Sequence, residues 1–513
     1  MVITKMEKNK EEKCTNMEQV LKYIEKKVRN RRIIRYMKGK HVVEVYGEHF
    51  FEDIREKTQI LATYKARGKH VGIIGENSYE WLVSLCGVLR SGAVAVLLDK
   101  ETDAEALEEL SERTDLDILI YDKAAEEKVC DLKKHKTVQC IPMWEHMKVQ
   151  TVDCKLLEKS HINTDRKPEA LACIYFTAGT TDKSKAVMMS DHGLTASVCQ
   201  RVNDKNFQAL LSVMPFHHLS GFVTVLNALY LGAEVCMGGE IKYFYRYLEY
   251  MKPDYVLLVP SMMQILAKKL KNSSPNGNSL GWNLKMINCS GAVFQSRFLQ
   301  LFQERHILVV QGYGASEAGG IGIMYEMTEK NKDSIGKPTS ELEIRIVDGE
   351  LFLRSESIMM GYYKDELATR EVLQDGWYAT GDLCEVDEDG FLHLTGRKRN
   401  VIILDNGENI SPEEIEGKLY ASKYIKEVMI GVENQLLTAT ILPDFSKEFG
   451  KEAEESVKQK IREDVECYNK NAPIYKQIRK LYFTEQSLKK NSVGKVLRHN
   501  VKGDGIDDRE RCD

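Results

Sequence analysis

Between His70 and Leu98 the chain reads as strand, helix, strand, and this unit limits the fold more than any other feature. The run His70-Val-Gly-Ile-Ile-Gly is apolar and partly β-branched. Asn77 to Ser91 puts Trp81, Leu82, Leu85 and Leu89 on one helical face, and Ala93-Val-Ala-Val-Leu-Leu is apolar again. Two short apolar strands joined by a helix form a βαβ unit, because a parallel pair needs a crossover of that length. The pattern predicts a helix opening at Asn77, with Asn77 and Glu80 as a capping-box-like pair, and closing at Gly92. It recurs: Asp103 to Ser111 precedes Ile118-Leu-Ile-Tyr, and Tyr255-Val-Leu-Leu-Val, Met286-Ile-Asn-Cys and Ile307-Leu-Val-Val follow. Parallel, helix-covered sheets should dominate the first half.

After Ile335 the texture changes to period-two alternation. Glu343-Ile-Arg-Ile-Val and Glu350-Leu-Phe-Leu-Arg flank Asp348-Gly349, a pair that favours a hairpin turn. A helix start follows at Ser411-Pro412-Glu413-Glu414, with an N-cap serine, proline at the first helical position and a glutamate placed for a capping box. A boundary near Thr395 to Asn400 then divides the chain into a large domain, residues 1–396, and a small C-terminal domain, residues 397–513. The expected class is α/β: a large domain of helix-covered, mostly parallel sheets with a small antiparallel region, plus a small mobile α+β C-terminal domain. A chain of 513 residues exceeds what one core supports. The loop Asn272 to Asn278 and the tail after Lys502 are the segments expected to be disordered.

A net charge of −4 with interspersed signs gives no reason to expect nucleic acid as a partner. No apolar stretch is long enough to cross a bilayer, and Met1 to Lys13 is charged where a secretory signal would be apolar, so a cytoplasmic protein is expected. Twelve cysteines without a Cys-x-x-Cys pair argue against a zinc site and for reduced thiols. Lys26, Lys27, Arg29, Arg31, Arg32, Arg35, Lys38 and Lys40 crowd the segment Lys22 to Lys40. A peripheral contact with anionic lipid or an acidic carrier protein is one reading of it, and a solvated face is the favoured one.

Five runs carry chemistry. Tyr175-Phe-Thr-Ala-Gly-Thr-Thr-Asp-Lys-Ser-Lys185 follows an apolar strand and offers Thr177, Gly179, Thr180 and Thr181 as donors to phosphate, with charge from Lys183 and Lys185. It lacks the Gly-Lys-Ser/Thr of a Walker loop, and by itself a polar surface turn is an equal reading. Gln311-Gly-Tyr-Gly-Ala-Ser-Glu317 also follows a strand. Gly312 and Gly314 flank Tyr313, an aromatic face for a base; Ser316 offers a hydroxyl and Glu317 a hard oxygen for Mg²⁺. Alone, it reads as a turn. Tyr378-Ala-Thr-Gly-Asp382, Gly396-Arg397 and Asn491-Ser-Val-Gly-Lys495 complete the set: a carboxylate able to accept two ribose hydroxyls, an arginine behind it and a point charge after glycine.

In this order the runs resemble the adenylate-forming superfamily of acyl-CoA synthetases, peptide-synthetase adenylation domains and firefly-type luciferases, over about Tyr46 to Arg498. Gly407-Glu-Asn-Ile with Ser411-Pro-Glu-Glu-Ile-Glu is similar to the long-chain acyl-CoA synthetase branch, and Gly407 joins the nucleotide-binding set. The resemblance implies ATP, Mg²⁺ and coenzyme A. Thr177 to Lys185 would wrap the pyrophosphate, and Ser290, Gly291 and Ala292 would line the adenine. Tyr313 would stack on the base, Ser316 would touch the α-phosphate, Glu317 would hold Mg²⁺, Asp382 and Arg397 would bind ribose, and Lys495 would bridge carboxylate and α-phosphate. The phosphate loop departs from the family: Asp182, Ser184 and Ala186 stand where glycine, proline and glycine are usual, and Asp182 adds negative charge beside phosphates.

Met214-Pro-Phe-His-His-Leu-Ser-Gly221 matches the family's acid-binding segment. Amino-acid-activating relatives usually carry aspartate just after the matched phenylalanine; here His217 and His218 follow Phe216, which disfavours an α-amino acid. His218 aligns with a gate beside the acyl group, with a hydrogen-bonded structural histidine as the equal alternative. Ala318-Gly-Gly-Ile-Gly-Ile suits an apolar acyl channel, or else glycines that allow tight packing. The implied activity is that of a fatty acyl-CoA ligase. The alternatives are an acyl-carrier-protein ligase and a catalytically silent nucleotide- or acyl-binding relative.

Overall fold

The computed structural model describes residues 14–135, 138–145, 166–177, 184–200, 207–271, 282–291, 294, 296–404, 408–445, 454–488 and 507–511. The expected βαβ unit forms. His70–Ile74 and Val94–Leu98 pair in parallel around the helix Tyr79–Ser91, whose residues Trp81 to Arg90 are all buried. Gly92 closes that helix in the left-handed region at φ 79°. The opening differs from expectation: Ser78, not Asn77, is the N-cap and accepts the Trp81 N–H. The Asn77 amide is engaged elsewhere, with the segment Met214–Phe216.

Two large sheets frame the molecule. The seven-stranded one runs, edge to edge, Gly361–Tyr362, Ala186–Ser190, Leu171–Phe176, Val94–Leu98, His70–Ile74, Leu116–Tyr121 and Gln139–Pro142. The nine-stranded one runs Lys337–Pro338, Gly320–Glu326, Leu308–Ala315, Met286–Cys289, Tyr255–Leu258, Ala209–Ser212, Glu234–Met237, Arg32–Lys38 and His41–Tyr46. The inner strands of both are parallel, and antiparallel neighbours lie toward the edges. One apolar core takes residues from both sheets and from the helices Tyr79–Ser91 and Leu219–Leu231, so those helices are packed from two sides.

The texture change after Ile335 marks a five-stranded antiparallel sheet. Glu343–Val347 and Glu350–Arg354 form the expected hairpin, with both Asp348 (φ 49°) and Gly349 (φ 78°) at the positive φ that a type I′ turn demands. Beyond it, a separate apolar core is built wholly from residues between Leu404 and Phe483. It covers one face of a four-stranded sheet, Ile425–Glu433, Leu436–Pro443, Ile478–Phe483 and Asp507–Arg511.

Three local expectations are corrected. The helix Pro412–Leu419 has its proline in the first turn, but the Ser411 hydroxyl makes no cap bond, and Glu414 turns outward to Lys418 and Lys476 at 2.9 and 2.7 Å. Ion pairing there outcompetes a capping box. Gln311-Gly-Tyr-Gly-Ala does not turn: it continues the strand Leu308–Ala315, and the reversal falls on Ser316–Gly319. The tail expected to be disordered contributes the strand Asp507–Arg511, paired with Ile478–Phe483; the loop Asn272 to Asn278 lies outside the described residues. Among the described residues no helix is long and apolar enough to cross a membrane.

Candidate active site

The strand Trp377–Val386 and its neighbour Leu392–Arg397 set Asp382 directly opposite Arg397 in register. Arg397 Nε meets Asp382 Oδ1 at 2.7 Å, and Nη2 reaches Oδ2 at 3.4 Å. The Tyr313 hydroxyl donates to the same Oδ2 at 2.6 Å. The carboxylate is 5% exposed, and its own backbone N–H is taken by Thr380 Oγ1 at 3.0 Å. Burial, and then Asp382, hold the Tyr313 phenol well above its ordinary range, so it stays a donor. The Asp382 carboxylate attracts Arg397, whose guanidinium is raised despite the opposing cost of burial. Three chain segments meet here: a ring held by its hydroxyl, a carboxylate and a guanidinium.

Glu317 lies one residue into the reversal after Tyr313's strand. Its Oε1 accepts the Tyr362 hydroxyl at 2.9 Å, and its backbone carbonyl accepts the Met359 N–H at 2.8 Å. The Lys185 ammonium sits over the same Tyr362 ring, 4.5 Å from its centroid. Tyr362 reaches this place because Gly361–Tyr362 adds to the edge strand Ala186–Ser190, in register with Val187. No feature of the sequence singles it out, since the pairing joins residues far apart in the chain. Tyr175 is a second such residue: its buried hydroxyl donates to the Ser316 carbonyl at 2.8 Å and ties the two sheets together at the reversal.

The ends of the phosphate-loop run are fastened to each other, Thr177 N–H to the Lys185 carbonyl at 3.0 Å and Lys185 N–H to Thr177 Oγ1 at 3.2 Å. Gly179, Thr180, Thr181, Asp182 and Lys183 lie outside the described residues. The two described departures from the family pattern sit in ordinary structure. Ser184 offers its carbonyl to Arg113 at 2.7 Å, and Ala186 opens a strand, 1% exposed. Ser290 ends the strand Met286–Cys289 with its hydroxyl donating to Asn288 Oδ1 at 2.8 Å, and Gly291 follows at φ 90°. Ala292, Gly407 and Lys495 lie outside the described residues.

His217 and His218 are packed ring to ring, 4.2 Å between centroids. Burial first, and then His218, push His217 down to about 4, against the attraction of Asp99. Burial likewise lowers His218. Both imidazoles are therefore neutral near pH 7, and the Nε2 of each is buried without a hydrogen-bond partner among the described residues. His217 Nε2 comes within 3.4 Å of Asp99 Oδ2, a charge-range approach without hydrogen-bond alignment. The glycines after Glu317 divide by role. A Cβ on Gly319 would meet the Ser357 carbonyl oxygen at 2.4 Å, and one on Gly322 would meet Leu342 at 2.9 Å, so these two serve tight packing. Gly320 instead faces Leu219, the residue after His218, at 4.0 Å from its missing Cβ.

Part of the basic segment near the start is paired with carboxylates, Arg29 meeting Glu48 at 3.7 Å. Arg32 pairs with Glu234 and Glu44, Arg35 pairs with Glu234 at 2.7 Å, and Lys27 donates to the Tyr230 carbonyl at 3.1 Å.

The geometry has counterparts in known proteins. Residues 62–363 match the family model described as AMP-binding enzyme, and residues 399–504 match the AMP-binding enzyme C-terminal domain. A fatty acyl-CoA synthetase B of Dictyostelium discoideum is 27% identical over 71% of this chain and 66% of its own length. A long-chain-fatty-acid–CoA ligase of Bacillus subtilis is 25% identical over 90% of this chain and 91% of its own. In fold, an o-succinylbenzoate coenzyme A synthetase of Bacillus subtilis, solved in complex with AMP, is similar with a TM-score of 0.77 at 20% identity, covering 95% of this chain and 99% of that one.

Proposed function

This chain belongs to the family of AMP-binding enzymes, and from that premise we propose that it activates a fatty acid with ATP and passes the acyl group to coenzyme A. The observation that carries the reading is the meeting of Tyr313, Asp382 and Arg397 from three separated segments. A buried carboxylate tied to an aromatic ring by that ring's hydroxyl, with an arginine behind it, suits a ribose and its base better than it suits a structural turn. The named fatty acyl relatives support the choice of acid.

In the first half-reaction a carboxylate oxygen bonds to the α-phosphorus of ATP and the bond to pyrophosphate breaks, so that AMP replaces oxide as the leaving group. In the second, a thiol sulfur, having lost its proton, attacks the acyl carbon and AMP departs. Asp382 and Arg397 hold the ribose, Tyr313 covers the base beside Ser290 and Gly291, and the loop from Thr177 to Lys185 holds the pyrophosphate. Glu317, a hard oxygen donor, fits Mg²⁺, which supplies neutralisation of phosphate charge. Lys495 adds positive charge where the two anions approach, an effect of order 10²–10³-fold per donor by analogy with oxyanion sites. We assign residues 1–396 to the nucleotide-binding domain and residues 397–513 to a lid that turns about Arg399 between half-reactions; the separate core of Leu404 to Phe483 supports this division. Buried thiols at Cys86, Cys173 and Cys289 are in keeping with work in the cytoplasm.

His217 and His218, neutral and following Phe216 where amino-acid-activating relatives usually carry aspartate, suit an acid without an ammonium group. Acid-dependent ATP–pyrophosphate exchange over a panel of fatty acids and α-amino acids tests the reading. Medium or long fatty acids should drive exchange best. An α-amino acid as best substrate overturns the choice of acid, and ATP binding without exchange for any acid favours a silent relative. If exchange occurs but the acyl group passes to an acyl carrier protein and not to coenzyme A, the acceptor is corrected.

A further inference from the structure

The segment Met214–His218 joins the strand Ala209–Ser212 of the nine-stranded sheet to the helix Leu219–Leu231, but it is fastened from a loop of the seven-stranded sheet. Asn77, in the loop leaving the strand His70–Ile74, uses both ends of its amide: Nδ2 donates to the Met214 carbonyl at 2.7 Å, and Oδ1 accepts the Phe216 N–H at 2.8 Å. The Phe216 ring, 1% exposed, packs against Trp81 with 5.3 Å between centroids, and Trp81 lies in the helix that the same loop opens. Pro215 separates the two clamped groups and has no N–H of its own. One amide therefore satisfies the backbone on either side of the proline. Asparagine and glutamine carry a donor nitrogen and an acceptor oxygen on separate atoms of one planar group. An apolar residue would leave both partly buried groups without a partner, and aspartate would set a carboxylate against a carbonyl.

The segment has little room to rearrange if this clamp is lost in part. A Cβ on Gly221 would lie 2.0 Å from the Pro215 carbonyl oxygen, so the chain folds back tightly on itself immediately after His218. Leu219 faces Gly320 on the far side. A shift at Met214 or Phe216 therefore moves His218 and Leu219 together, whereas Tyr313, Asp382 and Arg397 are held by their own separate contacts.

We propose that Asn77 is a positioning residue for the acid: it sets the place of His218 and Leu219 from the opposite sheet and so determines which acids are accepted, without touching the nucleotide. This rests on the acid-activation reading above. The test uses the full chain with Asn77→Ala and the isosteric Asn77→Asp, which keeps the acceptor for Phe216 and loses the donor. Three quantities are measured: the Michaelis constants and relative kcat/KM for a short and a long fatty acid in pyrophosphate exchange, calorimetric ATP affinity, and deuterium exchange at the Phe216 amide.

In Asn77→Ala the acid KM should rise about tenfold or more and the ratio of kcat/KM between the two acids should change about fivefold, as losing two partly buried hydrogen bonds implies. ATP affinity should stay within about twofold, because Tyr313, Asp382 and Arg397 hold one another through contacts that do not include Asn77. Asn77→Asp should keep the Phe216 amide protected while still shifting the acid ratio. An unchanged ratio, or acid and ATP affinities that fall in step, overturns the proposal, as does failure of both variants to fold, since that role is structural only. If the native chain activates acids and the ratio does not move, this inference alone fails; if the native chain activates none, the adenylation reading fails with it.

Discussion

The Tyr313 hydroxyl and the Arg397 guanidinium share one carboxylate, Asp382, at 2.6 Å on Oδ2 and 2.7 Å on Oδ1. Removing it undoes three positions at once, because the tyrosine ring loses its anchor and a half-buried guanidinium loses its counter-charge. Asp382→Ala should weaken ATP binding by more than ~1 kcal/mol, the scale for a hydrogen bond to a charged group. Tyr313→Phe should lose less, since its ring remains. Calorimetry on folded variants decides it, and unchanged affinity in Asp382→Ala would remove this carboxylate from the ribose site.

Tyr362 touches Glu317 through its hydroxyl and Lys185 through its ring face. Tyr362→Phe keeps the ring and removes only the partner that orients the carboxylate. The Mg²⁺ concentration needed for half-maximal ATP binding, read calorimetrically, should rise about tenfold, the lower end for losing an orienting neighbour of a metal ligand. Acid affinity should not change. Equal Mg²⁺ requirements in the two proteins would count against Glu317 as the metal ligand.

His217 is held down to about 4 chiefly by burial. Its folded value lies below the unfolded one, near 6.5, so the folded state binds fewer protons than the unfolded state across that interval. The stability it confers is complete above about pH 6.5 and is lost as pH falls toward about 4. Melting temperature should therefore decline over that window, and His217→Asn should flatten the decline. His218, also lowered, adds to the slope in the same direction. A variant with the native pH profile would show that the acid sensitivity arises elsewhere.

Arg399 and Lys495 should fail in different half-reactions. Arg399 lies in the short 3₁₀ turn Lys398–Asn400, directly after the strand that carries Arg397. Proline at 399 fixes φ near about −65° and restricts residue 398 as well, so the proposed rotation about Arg399 should be blocked. Arg399→Pro is expected to form acyl-AMP yet fail at thioester formation. Lys495→Ala is expected to lose acyl-AMP formation yet convert supplied acyl-AMP to thioester. Loss of the same half-reaction in both folded variants would refute their assignment to separate steps.

The sequence by itself determined the elements whose causes are local. Apolar period and Gly92 were enough for the βαβ unit from His70 to Leu98, and Asp348-Gly349 was enough for its hairpin, because a helix face and a type I′ turn depend on residues a few positions apart. The motifs also named Tyr313, Asp382 and Arg397, which the structure brings into contact. Where the competing partner lies far along the chain, local rules misled: Asn77 reads as a helix start but is taken by Met214 and Phe216, and Glu414 reads as a cap but is taken by Lys476. Gln311 to Ala315 reads as a turn until Gly320–Glu326 pairs with it. Only the tertiary structure brought Tyr362 between Glu317 and Lys185 and set Asn77 across the gap between two sheets. Such contacts follow from strand order and sheet packing, and their partners are separated by tens to more than a hundred residues, beyond the reach of any local pattern.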